Sequence, residues 1–257
     1  MISKKYLCCF FLVFFSKQLL FSQILNIEKI RLHADTLQRW HSNLSFNLDI
    51  RQRQNQVFNV RSNINTAYLT KKQRHHFIFI GDINLIQNQG KDLISYGYLH
   101  GRLHLHSQNR FSWESFSQIQ YDQVRGLQNR FLLGQGIRLN TTLNAKTTNA
   151  FGFALMLEHE HWTFSDKDTT TNLPKISSYW NFHSRLSNIL ELNTVTYYQA
   201  TFEYFLKPRI STDVNLLIKI SSHFSLVSHL LLAYDQIPVV PIDKLIYQFE
   251  NGIKVNF

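Results

Sequence analysis

From Trp40 onward the chain repeats one pattern, in which apolar side chains occupy every second position over runs of about ten residues and polar stretches separate the runs. A period of two belongs to the β-strand, whose successive side chains point to opposite faces. The clearest case is the hairpin from Phe111 to Asn140. Its first arm sets Trp113, Ser115, Ser117, Ile119 and Tyr121 against Glu114, Phe116, Gln118, Gln120 and Asp122. Its second arm sets Phe131, Leu133, Ile137 and Leu139 against Gly134, Gly136, Arg138 and Asn140. One apolar face capped by aromatics, opposite a face carrying charges, describes a strand with lipid on one side and a polar lumen on the other.

The same alternation predicts twelve strands. The first carries Trp40, Leu44, Phe46, Leu48 and Ile50 on one face, and the others cover about 57–69, 76–86, 96–106, the two arms of 111–140, 151–162, 175–183, 190–199, 209–220, 224–234 and 245–257. The stretch from Thr163 to Pro174 reads as a long polar loop. Short turns near Lys71, Ser107, Thr141, Ser184 and Ser221 then fall at one end, and mostly longer loops near Arg51, Gln87, Gln123, Thr163, Ala200 and Asp235 at the other. An even strand count and this loop asymmetry both suit an outer-membrane barrel. Trp40, Trp113, Tyr121, Trp162, Tyr234 and Phe257 fall near strand ends, where an aromatic girdle would lie. No run after the N-terminal segment reaches 18 apolar residues, so a membrane form has to be a closed barrel. The expected fold is all-β: a transmembrane antiparallel up-and-down β-barrel of about twelve strands over residues 38–257, after a cleaved signal peptide.

The N-terminus supplies that signal. Lys4 and Lys5 precede an apolar run from Tyr6 to Phe15, and no acidic residue occurs before Glu28. This is the layout of a secretory signal peptide, residues 1–22, followed by a short periplasmic segment, 23–37. Lys17 interrupts the run well before it reaches spanning length. Cys8 and Cys9 both lie inside it, so the mature chain has no thiol for a disulfide or a thiolate metal site. The 257 residues carry a formal charge of +10; without Lys4, Lys5 and Lys17 there remain 24 basic against 17 acidic residues, a net of +7. The basic residues are scattered near turns rather than gathered in a stripe, which argues against nucleic acid as a partner. Nine glycines, four prolines and no linker-like stretch point to one domain.

Trp113, Glu114, Phe116, Gln118, Gln120 and Tyr121, followed by Arg130, Leu133, Gly134, Gly136 and Arg138, resemble the hallmark hairpin of the YdiY-like, salt-induced outer-membrane protein family, a domain of unknown function with a β-barrel. Glu158 with Glu160, the Tyr197, Tyr198, Gln199 triplet and Arg209 with Ile210 extend the likeness over nearly the whole mature chain. One departure is that His159 and His161 stand where the family pattern would interleave aromatics with the two glutamates. The resemblance implies an outer-membrane location and a barrel, and brings no biochemical activity with it.

The candidate site is therefore the polar lumen: Arg102, Glu114, Gln118, Gln120, Arg138, Glu158 and Glu160. Buried carboxylates need cationic partners. The neighbouring strands offer Arg102 for Glu114, and Arg138 for the two glutamates of strand seven. The run Glu158 to His161 looks like a metal site, but adjacent strand residues face opposite ways, so no metal is expected there, and no cofactor elsewhere. His100, His104 and His106 share a face with Arg102, and His75 and His76 sit at a nearby turn, an arrangement open to pH sensing or polar filling. The functional expectation is a narrow polar lumen serving as a small pore or as a structural barrel. Its alternatives are an outer-membrane lipid hydrolase using His183, Ser187 and Asn188, and a soluble exported β-sheet binding protein. Expected partners are outer-membrane lipid and lipopolysaccharide, with the barrel-assembly machinery reading the terminal Phe257, and the expected state is a monomer.

Overall fold

Alternating β-branched and aromatic residues make strands, and the described residues contain almost nothing else. The computed structural model describes residues 39–52, 54–70, 74–141 and 146–255. The signal segment, the lead-in 23–37 and Phe257 lie outside the described residues. Twelve strands follow in order: β1 (Trp40–Gln52), β2 (Gln56–Leu69), β3 (His75–Asn88), β4 (Lys91–Leu105), β5 (Phe111–Asp122), β6 (Leu127–Asn140), β7 (Thr147–Phe164), β8 (Lys167–Arg185), β9 (Leu190–Thr201), β10 (Arg209–Lys219), β11 (Phe224–Asp235) and β12 (Leu245–Val255). They form one sheet in chain order, each pairing antiparallel with the next. Among the described residues the ladders run from β1 at one edge to β12 at the other. A single 3-10 turn, η1 (Gln123–Arg125), joins β5 to β6.

The expected loop at Thr163 to Pro174 is instead the end of a long hairpin. β7 continues to Phe164 and β8 starts at Lys167, with Phe164 opposite Lys167. Ser165 and Asp166 both have positive φ, 49° and 61°, which is the two-residue turn whose twist matches paired strands. Hydrophobic alternation is blind here because both faces of this hairpin end are polar; the cue was the Thr169, Thr170, Thr171 run, whose β-branched side chains favour strand. A second such turn, at Gln89 and Gly90, closes β3 onto β4, and it starts β4 at Lys91, five residues earlier than the alternation suggested.

The sheet is strongly curled. Three strand spacings separate β7 from β10, about 14 Å if flat, yet Arg209 on β10 reaches Glu158 on β7 at 3.3 Å. Across the same number of strands, Tyr179 on β8 donates a hydrogen bond to Glu114 on β5 at 2.6 Å. Such contacts exist only across a concave interior. At the end carrying the longer loops, the β11–β12 connection folds back across the opening, where Val240 packs with Leu127 of β6 and Trp162 of β7 in a buried apolar cluster.

The two faces are chemically inverted relative to a water-soluble domain. Outward positions are large and apolar: Leu44 is 73 % exposed, and Leu133 and Leu157 63 % each. Inward positions include Arg130 at 1 % and Glu160 at 0 %. Among the described residues no helix is long and apolar enough to cross a membrane.

Candidate functional site

The interior is built by one parity on each strand: even-numbered residues on β5, β6 and β7, odd-numbered ones on β8, β9 and β10. Local alternation thus puts every residue of the expected lumen set inside, and cross-strand register then sorts them into two clusters.

The first centres on Tyr179. Its ring lies between two guanidinium groups, with Arg102 and Arg138 each 5.6 Å from the ring centroid. Its hydroxyl donates to Glu114 and accepts from Arg138 Nη1 at 2.8 Å. Arg102 pairs with Glu114 at 3.4 Å and also lies over Phe116. Stacking on aromatic faces and bidentate hydrogen bonding are what a guanidinium offers and an ammonium does not. Beyond Phe116, His100 shares a hydrogen bond of 3.0 Å with Gln118, which donates to Gln120 at 2.9 Å. Toward the short-turn end, His104 is 2.6 Å from Ser112 Oγ.

The second cluster holds the paired acids. Glu158 accepts from Arg130, Lys175 and Arg209, and Glu160 pairs with Arg130 at 3.1 Å and Arg209 at 3.0 Å. Arg209 also binds Asp235 at 2.9 Å, and Trp162 Nε1–H donates to Glu160 at 3.1 Å. Above it, on η1, burial holds the Arg125 guanidinium below its ordinary range, with Asp122 opposing that shift.

Arg138 is therefore not the partner of Glu158 and Glu160. In the β6–β7 ladder Arg130 stands opposite Glu160, and Arg138 stands opposite Gly152, eight residues along the strand, about 27 Å away. The residues missed by the sequence reading are Arg130, Lys175, Tyr179 and Arg209, and each has the inward parity of its strand. What parity cannot supply is the contact across the barrel.

Glycines make this packing feasible. Gly134 lies under the Phe116 ring, and a Cβ there would sit 2.3 Å from it. Gly152, opposite Tyr179, is tighter still: a Cβ would lie 2.0 Å from the ring. Gly152→Ala forces the Tyr179 ring, held between two arginines, out of place. The expected loss is about 1–3 kcal/mol, read as a lower urea midpoint for unfolding from lipid vesicles. Gly252→Ala, with open space around it, changes little by the same measurement.

Beside the first cluster lies a cavity of about 40 Å³, lined by Arg102, Glu114, Tyr179, Tyr197 and Gln199 among others. That is room for a few waters and no larger solute. The outward histidines are engaged separately from the acids: His159 bonds Asn172 at 2.6 Å and His161 bonds Thr170 at 3.0 Å. No cluster of three or more potential metal ligands occurs among the described residues. His183 Nε2 lies 3.8 Å from Glu191, and Ser187 Oγ accepts from the Ile189 amide at 3.3 Å. Asn188 sits in the same exposed turn.

Three comparisons with known proteins bear on this. A family model described as "Protein of unknown function, DUF481" matches residues 34–240, and it is the family that the Phe111 to Asn140 hairpin resembles. No curated protein matches the sequence. Among solved structures, the beta domain of the Bordetella autotransporter BrkA is similar at 9 % identity and a TM-score of 0.35, covering 85 % of this chain and 98 % of that one. At that score the likeness adds nothing to the strand ladders themselves.

Proposed function

The chain belongs to the DUF481 family of proteins of unknown function, and from that premise we propose that it is a bacterial outer-membrane β-barrel whose narrow polar lumen is held shut by its own ion pairs, a structural barrel rather than an open pore. The observation that carries this is the inverted surface. Exposed Leu, Phe and Ile cover the outside while Arg130, Glu158 and Glu160 are almost wholly buried. In water such an exterior is an aggregation hazard, and in a bilayer it is the required solvent interface. The 40 Å³ interior cavity favours the sealed barrel over the small pore. On this reading the protein contacts outer-membrane lipid and lipopolysaccharide, works as a monomer, and offers Phe257 to the assembly machinery. No geometry favours the hydrolase alternative.

Detergent-extracted protein is expected to migrate differently on gels before and after boiling, as a closed barrel does, and to give no conductance steps in planar bilayers. Recovery of the protein in a periplasmic fraction without detergent overturns the membrane reading. Steady conductance from the unaltered chain overturns the sealed lumen.

A further inference from the structure

On the outward face one cross-strand row, from Phe79 to Leu133 and Leu157, is interrupted by two small residues. Gly101 on β4 and Ser117 on β5 are register partners there, and a methyl added at Gly101 would meet only Ser117 Oγ, at 3.7 Å. They form the floor of a groove of about 850 Å³ that crosses from β3 to β8. Its walls are apolar, with Phe79 and Leu99 toward one end and Phe131, Leu133 and Leu157 toward the other. It ends at β7–β8 between His159 and Asn172, the hydrogen-bonded pair. Above that end the outward side chains turn polar, with His161 and Thr170 next along the same two strands.

The groove has the dimensions of one leaflet. Five strand spacings amount to about 24 Å. With strands tilted by roughly 40°, a line across them descends about 15 Å, half of the ~30 Å hydrocarbon core. Its polar end is the end of the longer loops. There Asn172 Oδ1 accepts from the His159 ring, which leaves the Asn172 amide N–H groups as donors beside a second imidazole.

We propose that this groove is a lipid-binding site that takes one acyl chain of lipopolysaccharide, with the sugar-phosphate headgroup seated on Asn172, His159 and His161. The inference rests on the membrane reading. The polar end selects the outer leaflet, where the headgroup bears phosphates and sugar hydroxyls that can receive several donors at once, and the net charge of +7 left after removal of residues 1–22 complements an anionic lipid. The floor of glycine and serine selects the chain, because only small residues leave depth for methylenes between the flanking rows.

The test is native mass spectrometry of the full chain, purified in mild detergent and then titrated with short-chain lipopolysaccharide. The unaltered protein is expected to hold one lipopolysaccharide. Gly101→Trp and Ser117→Leu, which fill the floor, are expected to weaken it about tenfold, the equivalent of roughly two buried methylenes. Gln135→Leu, an outward substitution off the groove, leaves binding unchanged. Equal binding by the floor variants, preference for phospholipid over lipopolysaccharide, or no bound lipid on a heat-modifiable barrel each overturns the site. Loss of heat-modifiable migration in the unaltered protein overturns the membrane reading instead, so the two failures are told apart.

Discussion

Glu158→Gln is expected to destabilise the folded barrel by about 3–5 kcal/mol. Glutamine keeps the shape of glutamate, so packing is preserved and the loss isolates charge. Glu158 accepts from Arg130, Lys175 and Arg209 while it is 2 % exposed. Without its charge, Glu160 pairs with Arg130 and Arg209, Asp235 reaches only Arg209 of the three cations, and Lys175 loses the carboxylate it pairs with. Removing one partner from a buried ionic cluster leaves the others desolvated and uncompensated, which is the costly case, whereas exchanging a whole cluster for apolar residues is often neutral. Urea unfolding from lipid vesicles reads the effect, with Trp162 as a local reporter because its indole donates to Glu160. Glu250→Gln on β12, a carboxylate 60 % exposed, serves as the comparison and should shift stability by less than about 1 kcal/mol. An equally small shift for Glu158→Gln would show that the cluster contributes no more than a surface pair.

Conductance is expected to appear only when both layers at the long-loop end of the lumen are removed together and the Tyr179 cluster below them is opened. The upper layer is apolar: Val239, Val240 and Ile242 of the β11–β12 connection sit on Leu127 and Trp162, and Leu127 is 0 % exposed. The lower layer is ionic, with Arg209 tying Glu158 and Glu160 on β7 to Asp235 on β11. Either layer alone blocks the path, since one excludes water by packing and the other fills the lumen with long paired side chains. Replacing 237–242 by a Gly-Ser spacer, or Arg209 by Ala, should each leave planar bilayers silent. The combined variant, carrying Tyr179→Ala as well to open the cluster of Arg102, Glu114 and Arg138 below, should give conductance steps, a non-additive result of the kind that residues acting in series produce. Steps from either single variant would place the whole seal in one layer.

The strand pattern was legible because it is local. Alternation between Glu114, Phe116, Gln118, Gln120 and the outward Trp113, Ile119 and Tyr121 requires only that neighbouring side chains face opposite ways, and the structure keeps that parity along the middle of β5, β6, β7 and β8. Where both faces are polar, as from Thr163 to Pro174, the same rule had nothing to register, and the hairpin through Ser165 and Asp166 was missed. The family resemblance was legible for the same reason as the strands, since it rests on inward and outward residues of one hairpin.

The candidate site divides along the same line. Sequence alone determined which residues face inward, including Arg102, Glu114, Arg138, Glu158 and Glu160, because parity is set residue by residue along each strand. Tertiary structure alone decided who meets whom. Register moved Arg138 away from the acids of β7 and put Arg130 opposite Glu160, and curvature brought Tyr179 to Glu114 and Arg209 to Glu158 across three strands. Those contacts arise from the curl of the sheet over several neighbouring strands, a property that no single stretch of the chain contains.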